Sequence, residues 1–102
     1  MNLRVLTVAD AELREAARWY ENRRLGLGIE FTNAVEQVFE IIEQQPLRFP
    51  TSDESPDGVD VRECFVRGFP YIVCYEIRGV DVLVLAVAHA GRRPGYWRRR
   101  IL

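Results

Sequence analysis

The segment from Val80 to Ala88 is the most apolar stretch of this 102-residue chain, and it restricts the possible folds more than any other feature. Every residue from Val82 to Ala88 is apolar. Successive side chains of a strand point to opposite faces of a sheet, so this run predicts burial on both faces. The chain must therefore place this strand inside a sheet and cover both sides of it. The apolar residues on the two parities are Val82, Val84, Ala86 and Ala88, and Leu83, Leu85 and Val87.

The first quarter of the chain predicts a short strand over Leu3 to Val8 and a helix from about Val8 to Arg23. Thr7-Val8-Ala9-Asp10 fits a capping box, in which a hydroxyl and a carboxylate three residues later bind the free N–H groups of a helix start. The apolar stripe of the helix recurs at spacings of three, four and seven residues. It consists of Leu13, Ala16, Ala17 and Tyr20, whereas Glu12, Arg14, Glu15 and Arg18 are predicted to face solvent.

A second helix is predicted after the break at Gly26-Leu27-Gly28, and it continues to about Gln45. Pro46 ends it, because proline cannot continue the backbone hydrogen bonds. So short a break predicts that the two helices fold back as an antiparallel hairpin. The main apolar stripe of the second helix is Phe31, Val35, Val38 and Ile42.

Three strands in quick succession are predicted after a polar loop that runs from Phe49 to Asp60. Their connections are short, so they form an antiparallel meander, with the helical hairpin on one face and the first strand at an edge. The expected class is α+β: an N-terminal strand, a helical hairpin packed on a largely antiparallel four-stranded sheet, and a short basic C-terminal tail. The three strands are about Val61–Arg67, Tyr71–Ile77 and Val80–His89.

The two cysteines test the register of the sheet. A three-residue turn at Gly68-Phe69-Pro70 predicts that Cys64 lies opposite Cys74 and Arg62 opposite Glu76. Both thiols are then reduced cross-strand neighbours, and Arg62 has a structural role. Two cysteines and one histidine are too few for a disulfide framework or a zinc site, so neither a metal nor a cofactor is expected.

The composition predicts one domain spanning residues 1–102, without a signal peptide or a membrane span of roughly 20 apolar residues. The expected location is the cytoplasm. The net charge is only −1, but the last eleven residues hold five arginines and no acidic residue. Arginine side chains bind carboxylates and phosphates bidentately, so this end is predicted to bind an anion or a partner.

The segment after the apolar strand carries the candidate functional residues. His89 is the only histidine, and Arg92, Tyr96 and Trp97 follow it closely. A lone histidine at a strand end is often structural, and Tyr96 and Trp97 also suit a lid over the core. The residues considered for contacts with a target or partner are Trp19, Arg92, Arg93, Trp97, Arg98, Arg99 and Arg100, the last three as a solvated or partner-binding tail.

Four short motifs and the order of the elements resemble the RelE/ParE superfamily of bacterial toxins. The resemblance implies a toxin that is expressed with an antitoxin, whose C-terminal segment wraps around it. Some members cleave messenger RNA in the ribosome, and others poison DNA gyrase. The motifs are ELREAARWYE at 12–21, GLGIEF at 26–31, FPYIVCY at 69–75 and VAHAGRRPGYW at 87–97.

The residues favour the ParE-like side of this superfamily. RNA cleavage requires general acid and base groups and a cation for the phosphorane, and here His89, Arg92 and Tyr96 are the catalytic candidates. The nucleases typically carry basic residues that clamp phosphates on the second and third strands, whereas this chain has Glu63, Phe65 and Ile72 at roughly those places. Growth arrest by contact with gyrase is the leading hypothesis. A ribosome-dependent ribonuclease and an inactive binding module are the alternatives.

Overall fold

The chain forms four strands, two long helices and a C-terminal 3₁₀ helix in a computed structural model that describes residues 1–102. The sheet order is β1-β4-β3-β2, with β1 parallel to β4 and the other two neighbouring pairs antiparallel. The predicted α+β class, the edge position of the first strand and the central position of the apolar strand are confirmed. The elements are β1 (Asn2–Val5), α1 (Thr7–Arg23), α2 (Leu27–Gln44), β2 (Asp60–Phe65), β3 (Tyr71–Arg78), β4 (Asp81–His89) and the 3₁₀ helix (Tyr96–Arg100).

The two faces of the sheet have separate apolar clusters. We call the face that α1 and α2 cover the inner face, and the face under the 3₁₀ helix the outer face. The inner cluster confirms the predicted stripe of α2 and, from α1, buries Leu13 and Ala16 fully and Ala17 and Tyr20 partly. The outer cluster is smaller and consists of Val61, Cys74, Leu85, Ala86, Ala88 and Trp97.

The predicted capping box at the start of α1 is wrong. Thr7 is already helical, Leu6 is the N-cap, and no side chain caps the helix. The chain enters α1 directly from β1, because Leu6 donates its N–H to Val84 of the sheet while its carbonyl oxygen accepts from the N–H of Asp10. The Asp10 side chain instead pairs with Arg14 at 2.8 Å.

Glu21 joins the two helices of the hairpin. Its carboxylate accepts hydrogen bonds from the N–H groups of Gly26 (2.9 Å) and Gly28 (3.0 Å). A Cβ atom at Gly28 would lie 2.6 Å from the carbonyl oxygen of Ala17, so only glycine allows the helices to approach this closely.

Neither helix is both long and apolar enough to cross a membrane.

The predicted register between β2 and β3 is wrong by one residue. Cys64 pairs with Val73 and Cys74 with Glu63, because Val66 bonds to Tyr71 and leaves a four-residue loop, 67–70, in place of a three-residue turn. The side-chain period of a strand is two, so the slip puts the cysteines on opposite faces. Cys64 lies in the inner cluster and Cys74 in the outer one, both as free thiols.

The predicted pair between Arg62 and Glu76 is absent for the same reason. Arg62 points to the inner face, where it pairs with Asp60 at 2.9 Å and donates to the carbonyl oxygen of Phe49 at 2.9 Å. Glu76 points to the outer face and pairs with Arg78 at 2.9 Å. Arg62 therefore keeps a structural role, but through the loop before β2 and not through β3.

Candidate functional site

The second half of β4 has an edge without a partner strand. β1 pairs with β4 only as far as Val5 and Val84, and a bulge at Leu85 follows directly. Side chains form the hydrogen bonds with the backbone N–H and C=O groups at this edge. The N–H of Val87 donates to Glu12 Oε1 at 3.1 Å, and Arg100 Nη1 donates to the carbonyl oxygen of Leu85 at 2.9 Å.

Glu12 is the centre of this arrangement, and we call Glu12, Tyr96 and Arg100 the Glu12 cluster. Arg100 approaches both carboxylate oxygens, at 2.9 and 3.1 Å, and the Tyr96 hydroxyl donates to Oε2 at 2.6 Å. The side chain of Glu12 is only 17% exposed and that of Arg100 only 19%. The cluster therefore ties α1 and β4 to the 3₁₀ helix across 84 and 88 residues of sequence.

The raised pKa values of Tyr96 and Arg100 keep both side chains protonated, so that both can donate hydrogen bonds to Glu12. Burial, followed by the hydrogen bond to Glu12 and its charge, raises the pKa of the Tyr96 hydroxyl well above its ordinary value. The hydrogen bond to Glu12 also raises the pKa of Arg100, although burial opposes it. Tyr96 is therefore a protonated donor near neutral pH, and its proton is already committed to Glu12.

His89 and Arg92 lie beside this cluster. His89 is exposed, its Nδ1 accepts the N–H of Gly91 at 2.9 Å, and its ring meets the Tyr71 ring edge-on at 5.3 Å. With Nδ1 as acceptor, the neutral ring carries its proton on Nε2. The guanidinium of Arg92 stacks on the Tyr96 ring at 3.8 Å and lies 4.0 Å from Glu12 Oε2.

A groove of about 530 Å³ runs between α1 and the end of the sheet, and we call it the aromatic groove. Its rings follow one another, with centroid distances of 5.1 Å from Trp19 to Tyr20, 6.1 Å from Tyr20 to Tyr71 and 5.3 Å from Tyr71 to His89. The lining residues are Glu12, Glu15, Ala16, Trp19, Tyr20, Pro70, Tyr71, Val87, His89 and Arg92. The groove thus combines aromatic rings with carboxylates on the α1 side.

The three arginines expected as a solvated tail have different environments. Arg100 belongs to the Glu12 cluster, and Arg98 binds both the carbonyl oxygen and the carboxylate of Glu54. Of the three, only Arg99 is exposed without an ion pair. The expectation of a solvated run is therefore wrong for Arg100, which is mostly buried against Glu12, whereas Arg98 stays exposed although it pairs with Glu54.

The structure separates the other predicted contact residues into exposed and buried ones. Trp19 is 52% exposed at the groove, and Arg93 is exposed without an ion pair. Trp97 is 2% exposed and fills the outer cluster, which fits the interpretation as a lid and leaves no surface for a direct contact. Of the three catalytic candidates, His89 and Arg92 line the groove, while Tyr96 is bound to Glu12.

Sequence reasoning missed Glu12, which it placed among the solvent-facing residues of α1. The signal was weak, since a glutamate one position before an apolar stripe is common on any amphipathic helix. Glu15, Tyr20 and Tyr71 were likewise not assigned to a site, although they stand in the motifs that carried the family resemblance. No group of three or more His, Cys, Asp or Glu side chains is arranged to hold a metal ion.

Comparisons with known proteins agree with this architecture. A family model described as "ParE toxin of type II toxin-antitoxin system, parDE" matches residues 3–94. A solved structure described as "Chromosomal ParDE TA system from P. aeruginosa" superposes with a TM-score of 0.62 at 17% identity, over 87% of this chain and 95% of that one. At this identity the superposition supports the fold alone. No curated protein sequence matches the chain significantly.

Proposed function

This chain belongs to the ParE toxin family of type II toxin–antitoxin systems, and from that premise we propose that it arrests bacterial growth by binding DNA gyrase. The contact is between proteins, and no RNA is cleaved. A cognate antitoxin neutralises the toxin, and the match to the ParE toxin family of type II toxin–antitoxin systems supports this pairing. The expected location of both partners is the bacterial cytoplasm.

The hydrogen bond that the Tyr96 hydroxyl donates to Glu12 is the observation that carries this proposal. A nuclease must donate a proton to the leaving oxygen and offer a free cation to the phosphorane. Tyr96 already donates to Glu12, and the guanidinium of Arg92 is stacked on the Tyr96 ring. The unpaired carboxylate of Glu15 lines the same groove, and its charge opposes a phosphate backbone. These features favour binding over phosphodiester chemistry.

The proposed contact surface consists of Trp19, Arg92, Arg93 and Arg99, the exposed members of the predicted set other than Arg98, which pairs with Glu54. A half-exposed tryptophan beside exposed arginines is a composition enriched at binding hot spots. Trp97, Arg98 and Arg100 contribute indirectly, because they hold the 3₁₀ helix on the outer face. Residues of both kinds are needed for the surface to exist.

Conditional expression in a bacterium, followed by a supercoiling assay with purified gyrase, tests the proposal. Growth arrest, intact transcripts, an induced DNA-damage response and inhibited supercoiling are expected. Arg92→Ala combined with Arg93→Ala is expected to weaken inhibition about tenfold, which corresponds to about 1.4 kcal/mol of binding. Arg18→Ala is a single-charge control, since Arg18 is exposed on α1 and does not line the aromatic groove. If growth is arrested but purified gyrase is not inhibited, the proposal that gyrase is the target is wrong.

A ribosome-dependent ribonuclease is the second candidate, and one observation favours it. His89 is exposed in the groove beside Arg92, with Nδ1 held by Gly91 and Nε2 left for a substrate. Under this alternative, induction produces messenger RNA cut in codon register, and His89→Ala abolishes the cuts while the protein stays folded. Expression without any effect on growth would instead identify a binding module that has lost its toxicity.

A further inference from the structure

The carboxylate of Glu15 is the one acidic side chain of α1 that has no partner within the chain. Asp10 pairs with Arg14, Glu12 with Arg100, and Glu21 accepts from the backbone at the start of α2. Glu15 takes part in no hydrogen bond or ion pair and lines the aromatic groove. The groove therefore holds, at its α1 wall, one exposed carboxylate without a hydrogen bond or an ion pair, with Arg92 lining the same groove.

Aromatic faces surround that charge. Trp19 lies one helical turn after Glu15 and is half-exposed, and the Tyr71 ring faces the groove from the sheet. The charges of Glu15 and Glu12 help to raise the pKa of Tyr71, after burial and the neighbouring Tyr20, so both carboxylates act on the Tyr71 hydroxyl. Aromatic faces next to a carboxylate form a site that attracts cations.

Two residues that line the groove, Trp19 and Arg92, already take part in stacked cation–aromatic pairs, although their partners Arg23 and Tyr96 do not line it. The guanidinium of Arg23 lies 4.2 Å from the Trp19 ring centre, and that of Arg92 lies 3.8 Å from the Tyr96 ring centre. An arginine or lysine from a partner would meet rings of the same kind and, in addition, the free carboxylate of Glu15. An acidic side chain at the same place would meet uncompensated repulsion.

We propose that the aromatic groove receives a basic side chain, an arginine or a lysine, from the cognate antitoxin. The inference rests on the antitoxin pairing in the proposed function, and it names the chemistry of the residue that enters beside Glu15, Trp19 and Tyr71. It differs from the sequence-based expectation that the arginine-rich C-terminal end of the toxin binds an anion or a partner. In the groove the charges are the other way round: the toxin supplies the carboxylate and the antitoxin supplies the basic side chain.

Titration calorimetry between the full-length toxin and the full-length antitoxin encoded beside it tests this pocket. Glu15→Gln removes the charge at nearly constant shape and is expected to weaken binding about threefold to tenfold. Glu15→Lys places a like charge against the incoming side chain and is expected to weaken binding more than tenfold, by about 1.4 kcal/mol or more. Glu36→Lys, on the exposed surface of α2, makes the same charge change away from the groove and is the matched control.

Charge-reversal substitutions in the antitoxin complete the test. Reversing each basic residue of the antitoxin's toxin-binding segment in turn to glutamate is expected to restore binding to Glu15→Lys at one position. Equal affinity of parent and Glu15→Lys, or an equal loss in Glu36→Lys, overturns the proposal, as does an antitoxin that fails to bind the parent. The gyrase assay is separate: uninhibited gyrase removes the proposed target, whereas the pocket is judged on toxin–antitoxin binding alone.

Discussion

The inner and outer faces of the sheet differ in how their covers are attached. The helical hairpin covers the inner face through a 14-residue apolar cluster. The 3₁₀ helix covers the outer face through a cluster of 6 residues in which Trp97 is the one large aromatic side chain. Arginines of the 3₁₀ helix bind Glu12 and Glu54. One cover is held mainly by apolar burial, and the other by an indole together with charged hydrogen bonds.

This difference matters because the two kinds of attachment respond to different changes. Apolar burial follows the area removed from water, whereas ion pairs depend on both charges, and exposed pairs weaken as salt screens them. The aromatic groove adjoins the charged attachment, since Glu12 belongs to both. We therefore expect mutations in the Glu12 cluster to change binding and stability together. Mutations in the buried stripe of α2, which does not line the groove, should change stability alone.

Trp97→Ala is expected to have the largest effect, because it removes most of the apolar part of the outer cover. Trp97 is 2% exposed and packs in the outer cluster with Leu85 and Ala88. Replacing a buried tryptophan by alanine costs about 3–5 kcal/mol, which urea denaturation measures. A loss of less than about 1 kcal/mol would mean that the outer face is stable without its indole. The comparison between the two covers would then fail.

Ile42→Ala tests the inner cover. Ile42 is fully buried in the inner cluster, and Val38 on the same stripe is 5% exposed. Either substitution is expected to cost about 2–4 kcal/mol, since it leaves a cavity between α2 and the sheet. Antitoxin binding by the folded fraction should be unchanged. An unaltered denaturation midpoint would contradict the packing of this stripe.

Glu12→Gln sharpens the contrast, because it changes charge and hydrogen bonding with little change in volume. The amide cannot accept every bond that Arg100 and Tyr96 donate, and charge-assisted bonds are lost. The expected cost is about 1–3 kcal/mol in the free energy of unfolding. Glu15→Gln is the control: the same change, three residues along α1 at a side chain without a partner, should stay within about 0.5 kcal/mol. Equal losses would show that the Glu12 cluster adds no stability.

Arg98 and Arg99 give the smallest predicted effects and separate attachment from recognition. Arg98→Ala removes a half-exposed pair with Glu54 and should cost less than about 1 kcal/mol. Arg99→Ala should leave stability within about 0.5 kcal/mol and slow association with the antitoxin at low salt, because it removes an exposed positive charge. Stopped-flow association at two salt concentrations measures this. Salt-independent rates that are equal in Arg99→Ala and the parent would mean that Arg99 plays no part in recognition.

Much of the inner side could be predicted from the chain. The stripe of α2 and the double-sided apolar pattern of β4 follow from periods of 3.6 and 2, which report burial locally. The Pro46 stop is local in the same sense, and α2 indeed ends at Gln44. The capping box failed at Thr7 because the helix begins as soon as β1 ends, a junction set by pairing with Val84.

The site was only half predictable. His89, Arg92 and Trp19 were singled out by residue type and by the family resemblance, and all three line the groove. Glu12 and Tyr71 line the same groove, but ordinary helix and strand patterns do not distinguish them from surface glutamates and core tyrosines. The register of the cysteines depended on a loop that is one residue longer than the expected turn, and a slip of one residue exchanges the faces.

The sequence alone was enough to establish the two-layer fold, the buried stripe of α2, the central apolar strand and the toxin family, because apolar periodicity and short motifs are local properties. Tertiary structure alone decided which arginines are free. Arg100 meets Glu12 across 88 residues and Arg98 meets Glu54 across 44, whereas Arg99 between them faces solvent. Such pairings depend on loop lengths, on a bulge and on the strand register, and a change of one residue in any of these changes which side chains meet. A local sequence pattern does not reveal their combined effect.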